Sequence, residues 1–263
     1  GNFSEQQAKN FLETYFNEAF VSLDLVIDEI SYDMKLLEVG AGICIFSLFL
    51  KKIGFDIVAL EPSINGFSNF SIAKKILLEI YSDINLEILD LPVHELPLID
   101  RKFDFIFSNN VLEHIPNLKE SWLGMVNALS LINGKMAHHC PNYFIPYEPH
   151  LSIPVIKNFP QLSKYIFSAK VKANLELWSS LNFISYNEVR DLAKSSNMPI
   201  IFERGLLAKA FNRVDADPIY RARHSSKFFL VAYQVFKKTH LYTLLNYIPP
   251  SFSTPMIFVC SRK

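Results

Sequence analysis

Two sets of residues in this 263-residue chain have types and spacings that could do chemistry. The first is Glu38-x-Gly40-x-Gly42, followed by Glu61 and Pro62. Glycines at this spacing let the backbone approach a ligand, and a carboxylate such as Glu61 can accept hydrogen bonds from both vicinal hydroxyls of a ribose. That is the chemistry of holding a nucleotide-type cofactor. The second set is His138-His139-Cys140-Pro141-Asn142-Tyr143-Phe144-Ile145-Pro146-Tyr147-Glu148-Pro149-His150. It gathers imidazole, phenol and carboxylate groups between prolines, which restrict the backbone and hold polar side chains in fixed positions. A histidine of near-neutral pKa beside a carboxylate, as in His150 with Glu148, can take a proton from a hydroxyl.

These residues need elements to position them. Leu36, Leu37 and Val39 form an apolar run that ends at Gly40, residues 43–52 follow a helical pattern, and residues 57–60 are a second apolar run closed by Glu61. Strand, glycine turn, helix, strand and acid make the first βαβ unit of a doubly wound sheet. A dinucleotide fingerprint would need glycine or alanine where Ile45 stands, and that branched side chain argues against NAD or FAD. Further on, the spacing predicts helices over 4–30, 63–81, 117–131 and 185–196, the last opened by a Ser185/Glu188 capping box, and helical segments over 217–224 and 226–246. Strands are expected at 86–89, 103–107, 135–139, 199–202 and 254–261.

Glu38, Gly40, Gly42 and Glu61, with FDFIFSNNVLEHIPN at 103–117, resemble the class I S-adenosylmethionine (SAM) dependent methyltransferases. The resemblance covers about residues 35–140. It implies an α/β fold, a doubly wound mostly parallel sheet in the order 3-2-1-4-5-7-6 with the last strand antiparallel, and a helical insertion after strand 5. It implies SAM as cofactor and S-adenosylhomocysteine as product. On that likeness Glu38 lies near the methionine end of SAM, Gly40, Ala41 and Gly42 form the loop beneath it, and Glu61 and Pro62 meet the ribose. Pro92 stands where the family often has an adenine-binding aspartate, so backbone around Val93 and His94, or Asp90 by a shifted route, would serve the adenine. Ser108, Asn109 and Asn110 would flank the amino-acid end. Glu113 and His114 could instead cap the next helix or pack on the sheet. The family often has a third glycine where this chain has Cys44.

The segment CPNYFIPYEPHLSIP at 140–154 is similar to a methyltransferase subgroup found in surface polysaccharide biosynthesis loci. That likeness implies O-methylation of a sugar or phosphate-bearing glycan precursor, with His150 as base, Glu148 as its partner, and Tyr147 and His139 in the same catalytic set. His138 and His139 alternate sides on a strand, so only one could reach a pocket. No Asn-Pro-Pro-Tyr type loop points to nitrogen acceptors, and Asn142-Tyr143 does not reproduce one.

Half the residues are hydrophobic and the formal net charge is zero, as expected of a packed globule. The first 150 residues are net acidic and the remainder net basic, which suits a small-molecule or glycan substrate that is anionic. The absence of a long basic stripe weighs against nucleic acid. No apolar run is long enough for a transmembrane segment, and the start lacks signal-peptide features, so a cytoplasmic location is expected. Cys44, Cys140 and Cys260 read as buried free thiols, and no metal is expected, because the adjacent His138, His139 and Cys140 point apart. The domain reading is a helical cap at 1–34, the SAM-binding core at 35–140, a substrate-covering loop and helical insertion at 141–197, and C-terminal strands with basic helices at 198–263. The alternatives are a catalytically inactive scaffold of the same fold and, less well supported because of Ile45, a nicotinamide oxidoreductase.

Overall fold

The computed structural model describes residues 5–62, 68–216 and 227–262. Strands β1 (Lys35–Val39) and β2 (Asp56–Leu60) are each exposed at the first residue and buried thereafter. Such unbroken buried runs belong in a parallel sheet covered on both faces. They are joined by β3 (Glu87–Leu89), β4 (Phe105–Asn109), β5 (Lys135–Cys140), β8 (Ile200–Phe202) and β9 (Met256–Ser261) in the order β3-β2-β1-β4-β5-β9-β8. Strands β1 to β5 pair in parallel, and β9 runs antiparallel to both β5 and β8. This differs from the expected 3-2-1-4-5-7-6 in the numbering of its last two strands. The cause is an extra antiparallel ribbon, β6 (Tyr147–Glu148) with β7 (Ile153–Pro154), that forms a sheet of its own.

Alternation along the strands builds two cores. Toward α1 (Glu5–Val26) and α2 (Ile45–Lys52) face Leu36, Ile57, Phe105, Phe107 and Ala137, which pack with Val26, Phe46 and Leu50. On the other face Leu37, Val58, Ile106, Met136 and Phe258 pack beneath α4 (Leu118–Ala128) and α8 (Tyr186–Ser195) through Trp122, Met125, Val189 and Ala193. Each fully buried aliphatic or phenyl side chain contributes about 1.5–3 kcal/mol relative to exposure, so these two layers hold the sheet rigid under whatever sits at its carboxyl ends. Trp122 is anchored as well as buried, because its indole N–H donates to Ser196 Oγ at 2.9 Å.

Several boundaries differ from the sequence reading. Strand β4 begins at Phe105 rather than 103, since Phe103 makes only an isolated bridge to Leu129, and it runs on to Asn109, which sets that asparagine at the strand's end. Helix α3 is Ser68–Ile80, and α4 is shorter than the expected 117–131. The capping box is present at α8, where Ser185 N–H donates to Glu188 Oε2 at 2.9 Å. After the ribbon come three short helices, α5 (Pro160–Ile166), α6 (Ser168–Ala173) and α7 (Leu175–Ser180). Helix α9 is Leu206–Ala216, and α10 is Lys227–Lys238. The helix expected over 226–246 breaks at His240, whose φ of 55° is left-handed, and continues as a 3-10 turn over Leu241–Tyr247. The segment expected at 217–224 lies outside the described residues. Among the described residues no helix is long and apolar enough to cross a membrane.

Candidate active site

The loop after β1 is tied down by its own backbone. Gly40 N–H donates to Leu60 O at 2.8 Å, and Gly42 N–H donates to Glu61 Oε2 at 2.8 Å, so the acid ending β2 closes the loop it was expected to serve. Gly40 has φ +71°, and a Cβ there would stand 2.4 Å from Val111 Cγ2; only glycine fits. A Cβ on Gly42 would meet only the Tyr15 ring, at 3.9 Å, so this glycine borders a cleft roofed by α1. Cys44 takes the left-handed conformation, φ 62°, which explains the glycine usual at that position. Its side chain is fully buried, and burial pushes the thiol up to about 12. Glu38 is buried as well and accepts a hydrogen bond from the Ser47 hydroxyl. Burial raises its pKa to about 7 despite that bond, and the charge of Glu61 adds to the rise. Burial likewise raises the pKa of Glu61.

At the next strand end, the side-chain amides of Asn109 and Asn110 both donate to Glu18 Oε2, each at 2.9 Å, which fastens α1 across the cleft. Asn109 Oδ1 is buried with no hydrogen-bond partner among the described residues. Ala41 and Pro62 flank the same loop and are partly buried. Val93 is buried in a 3-10 turn, with its carbonyl oxygen 2.6 Å from where a Cβ on Gly124 of α4 would stand. Its side chain joins the core, whereas the His94 side chain is exposed and lies 4.0 Å from Glu95.

A second group of side chains lies beyond Asn110. Glu113 and His114 sit in a 3-10 turn, Leu112–His114, that Asn182 clamps: its Nδ2 donates to Leu112 O at 2.7 Å and to Ile115 O at 2.9 Å, and its backbone N–H donates to Glu113 O at 2.8 Å. The proline-braced loop is held by Asn142, which donates to Ser251 O and Ser253 O and accepts from the N–H groups of Phe144 and Tyr186. These two anchors bring His150 Nε2 and His114 Nε2 each to 4.0 Å from Glu113 Oε1, with the two imidazole centres 5.7 Å apart. His150 Nδ1 lies 2.8 Å from Glu148 Oε1, and the Tyr143 hydroxyl donates to Glu148 Oε2. Glu113 is fully buried, yet neither of its carboxylate oxygens has a hydrogen-bond partner among the described residues. Burial pushes its pKa up to about 8. Burial, then the charge of His150, lowers His114 to about 4. Burial works to lower His150, but the hydrogen bond and charge of Glu148 outweigh it and raise the pKa. Glu148 is the reverse case: burial works to raise it, and the hydrogen bonds from His150 and Tyr143 prevail and lower it.

The expected pairing of His150 with Glu148 is present as a hydrogen bond, while Tyr147 and His139 are not brought to it. Tyr147 alternates with Glu148 on β6 and faces outward, and Tyr143 makes the phenol contact instead. His139 lies opposite Asn109 in the sheet register, on the α1 face, where burial lowers its pKa to about 4 and Nδ1 has no partner among the described residues. His138 points the other way, bonded through Nδ1 to Ser108 Oγ at 2.7 Å and packed on Trp122 and Phe258. Glu113 and His114 do not cap α4, whose N-cap is Asn117. The sequence signal that could have found them is an adjacent acid and imidazole directly after the β4 loop.

Residues 11–184 match the family model for a methyltransferase domain. The chain belongs to this methyltransferase family. Two curated relatives, both uncharacterized proteins of Mycobacterium tuberculosis strains, are 29% identical over 251 residues, covering 93% of this chain and 83% of theirs. Among solved structures, an S-adenosylmethionine dependent methyltransferase from Mesorhizobium loti superposes with a TM-score of 0.59 at 11% identity, covering 93% of this chain and 98% of that one. The YcgJ protein of Bacillus subtilis gives 0.54 at 9% identity, covering 94% and 99%. At such identities these two structures speak for the fold alone. The cleft fits SAM as the cofactor: a backbone cradle at Gly40 to Gly42, an acid at the β2 end, and an amide oxygen on Asn109 without a partner among the described residues.

Proposed function

We propose that this methyltransferase transfers the methyl group of SAM to a hydroxyl of a sugar or phosphate-bearing glycan precursor. The observation that carries the reading is the cluster of Glu113, His114 and His150 one turn beyond Asn110, next to the cofactor cleft rather than remote from it. Glu18, bonded to Asn109 and Asn110, is near enough for its charge to act on both Glu113 and His150, which ties the two halves of the site together.

When bound, SAM supplies a methyl group activated by its sulfonium. Glu61, Gly40 to Gly42 and the backbone near Val93 and His94 hold the nucleoside; Glu61 Oε2 is engaged by Gly42, which leaves Oε1 for a ribose hydroxyl. Glu38, Asn109 and Asn110 hold the amino-acid end. The acceptor hydroxyl meets the open side of the cluster. As its oxygen takes the methyl that bound SAM would supply, its proton would pass to Nε2 of His150, which Glu148 orients through Nδ1. The basic second half of the chain supports an anionic acceptor, and the likeness of residues 140–154 supports a glycan. A scaffold without chemistry is favoured by Cys44, but that residue takes its left-handed conformation with the loop's hydrogen bonds intact.

The test is methyl transfer from isotope-labelled SAM to a panel of sugars, amino sugars, sugar phosphates and nucleotide sugars, with the product located by mass spectrometry. Labelled product from a hydroxyl acceptor, with His150→Ala lowering kcat roughly 100-fold at unchanged SAM affinity, supports the reading. Labelling confined to amine acceptors removes the oxygen assignment, and equal turnover in His150→Ala makes His150 a packing residue.

A further inference from the structure

The Glu113 cluster holds a buried acidic side chain whose hydrogen-bonding capacity no protein atom among the described residues fills. Ser180 Oγ donates its single proton to Leu177 O at 2.8 Å, so its 2.8 Å contact with His114 Nδ1 has the ring as donor. That fixes the tautomer of His114 and leaves Nε2 a lone-pair acceptor. Glu148 accepts from His150 Nδ1, from two backbone N–H groups and from the Tyr143 hydroxyl, so its carboxylate is saturated and His150 presents Nε2 inward as well. Facing the two Nε2 atoms stands Glu113, fully buried, with neither oxygen partnered among the described residues. At 4.0 Å neither imidazole is hydrogen-bonded to it. An isolated carboxylate is expensive to bury, and this one faces two nitrogens that have been turned toward it.

We infer that Glu113, His114 and His150 bind a divalent transition-metal ion such as Zn²⁺, Mn²⁺, Co²⁺ or Fe²⁺, at a site with open positions for the acceptor oxygen. One candidate ligand atom from each residue lies within 4.8 Å of the others. Ligands on one ion at bond lengths of about 2.0–2.2 Å stand roughly 3–3.5 Å apart, so the side chains close on the ion by less than about an ångström each. Two imidazoles with one carboxylate select a borderline transition metal over Mg²⁺ or Ca²⁺, which prefer all-oxygen shells. The carboxylate behind His150 and the hydroxyl behind His114 are the supports that metal-bound imidazoles use to fix ring orientation. The side chains of His114 and His150 are about a quarter exposed, 26% and 27%, whereas Glu113 is sealed beneath them, so the remaining coordination positions open outward.

This replaces the expectation of no metal, and the site differs from the adjacent His138, His139 and Cys140 considered in the sequence. The binding itself is independent of the methyl-transfer reading; its use in catalysis rests on that reading. With the ion in place His150 is a ligand through Nε2 and no longer a proton acceptor. The acceptor hydroxyl then joins the ion, which lowers its pKa so that its proton is lost to water before the oxygen takes the methyl group.

The test is titration of the full chain, stripped with a chelator, by Co²⁺ followed through its visible d–d absorption, with Zn²⁺ and Mn²⁺ followed by calorimetry. One ion per chain is expected, with a Co²⁺ spectrum of nitrogen and oxygen ligation. Glu113→Gln should abolish it at ion concentrations that saturate the wild type, and Glu148→Gln, which acts only by positioning His150, should weaken it by about 10–100-fold. His240→Ala, far along the chain, should leave it unchanged. Absence of stoichiometric binding of all three ions to the folded wild-type chain overturns the proposal, as does binding that survives Glu113→Gln. Stoichiometric binding by a chain that fails to bind SAM would retain the metal site and discard the catalytic reading. Methyl transfer at full rate after chelation, with no ion bound, would retain the enzyme and overturn the ion's catalytic use.

Discussion

Asn182 and Glu113 are joined backbone to backbone, the N–H of Asn182 donating to the carbonyl oxygen of Glu113 at 2.8 Å, while the Asn182 side chain bridges Leu112 and Ile115. The irregular segment between α7 and α8 thus sets where the Glu113 carboxylate and the His114 ring stand. Asn182→Ala leaves two carbonyl oxygens without their donor, and should cost about 2–3 kcal/mol in denaturant unfolding. Methyl transfer should fall while SAM affinity is retained, because the cofactor loop is held by other bonds. A variant that loses SAM binding and turnover together would mean that the turn and the cleft are one unit.

Gly40→Ala tests the cofactor loop by crowding. The added Cβ would meet Val111 Cγ2 at 2.4 Å in a backbone already at φ +71°. Overpacking and left-handed strain together should destabilise the chain by about 2–4 kcal/mol. The same change at Gly42, where the nearest atom is 3.9 Å away, should perturb stability less and SAM affinity more. Equal stability losses at both positions would contradict the close approach of Gly40 to the turn after β4.

Glu38 gives a pH signature. Its folded pKa is raised from 4.5 to about 7, burial being the largest cause, so the folded chain keeps a proton that the unfolded chain releases. Stability therefore falls as pH rises from 4.5 and levels off above about 7, by roughly 3 kcal/mol in all. Glu38→Gln lacks this titration, so its Tm relative to the wild type should climb across the window. A constant difference would mean that Glu38 is ionised in the folded chain throughout.

The cofactor half of the site was legible in the sequence because its information is local. Glu38, Gly40, Gly42 and Glu61 lie on consecutive elements whose order alone brings them to one end of the sheet, as Gly42 N–H bound to Glu61 confirms. The proposed catalytic cluster depends on chain segments distant in sequence. Asn182 and Asn142 read as ordinary polar residues, since what they do is set by Leu112, Ile115, Ser251 and Ser253. Tyr147 was the reasonable choice beside Glu148, and the β6–β7 ribbon turns it outward because neighbours on a strand alternate. Tyr143 then takes the contact, which no spacing rule anticipates. Glu113 was legible as a residue but not as a buried, unpartnered carboxylate, which only the closure of the His150 loop over it reveals.

The central claim, a SAM-dependent methyltransferase whose ribose acid is Glu61, is tested most directly by calorimetry of the purified chain with SAM, S-adenosylhomocysteine and NADH. Micromolar binding of both sulfur cofactors, none of NADH, and a loss of about 1–3 kcal/mol of SAM affinity in Glu61→Ala are the predicted results. Failure of the folded wild-type chain to bind either sulfur cofactor, or SAM affinity unchanged in Glu61→Ala, would contradict the account.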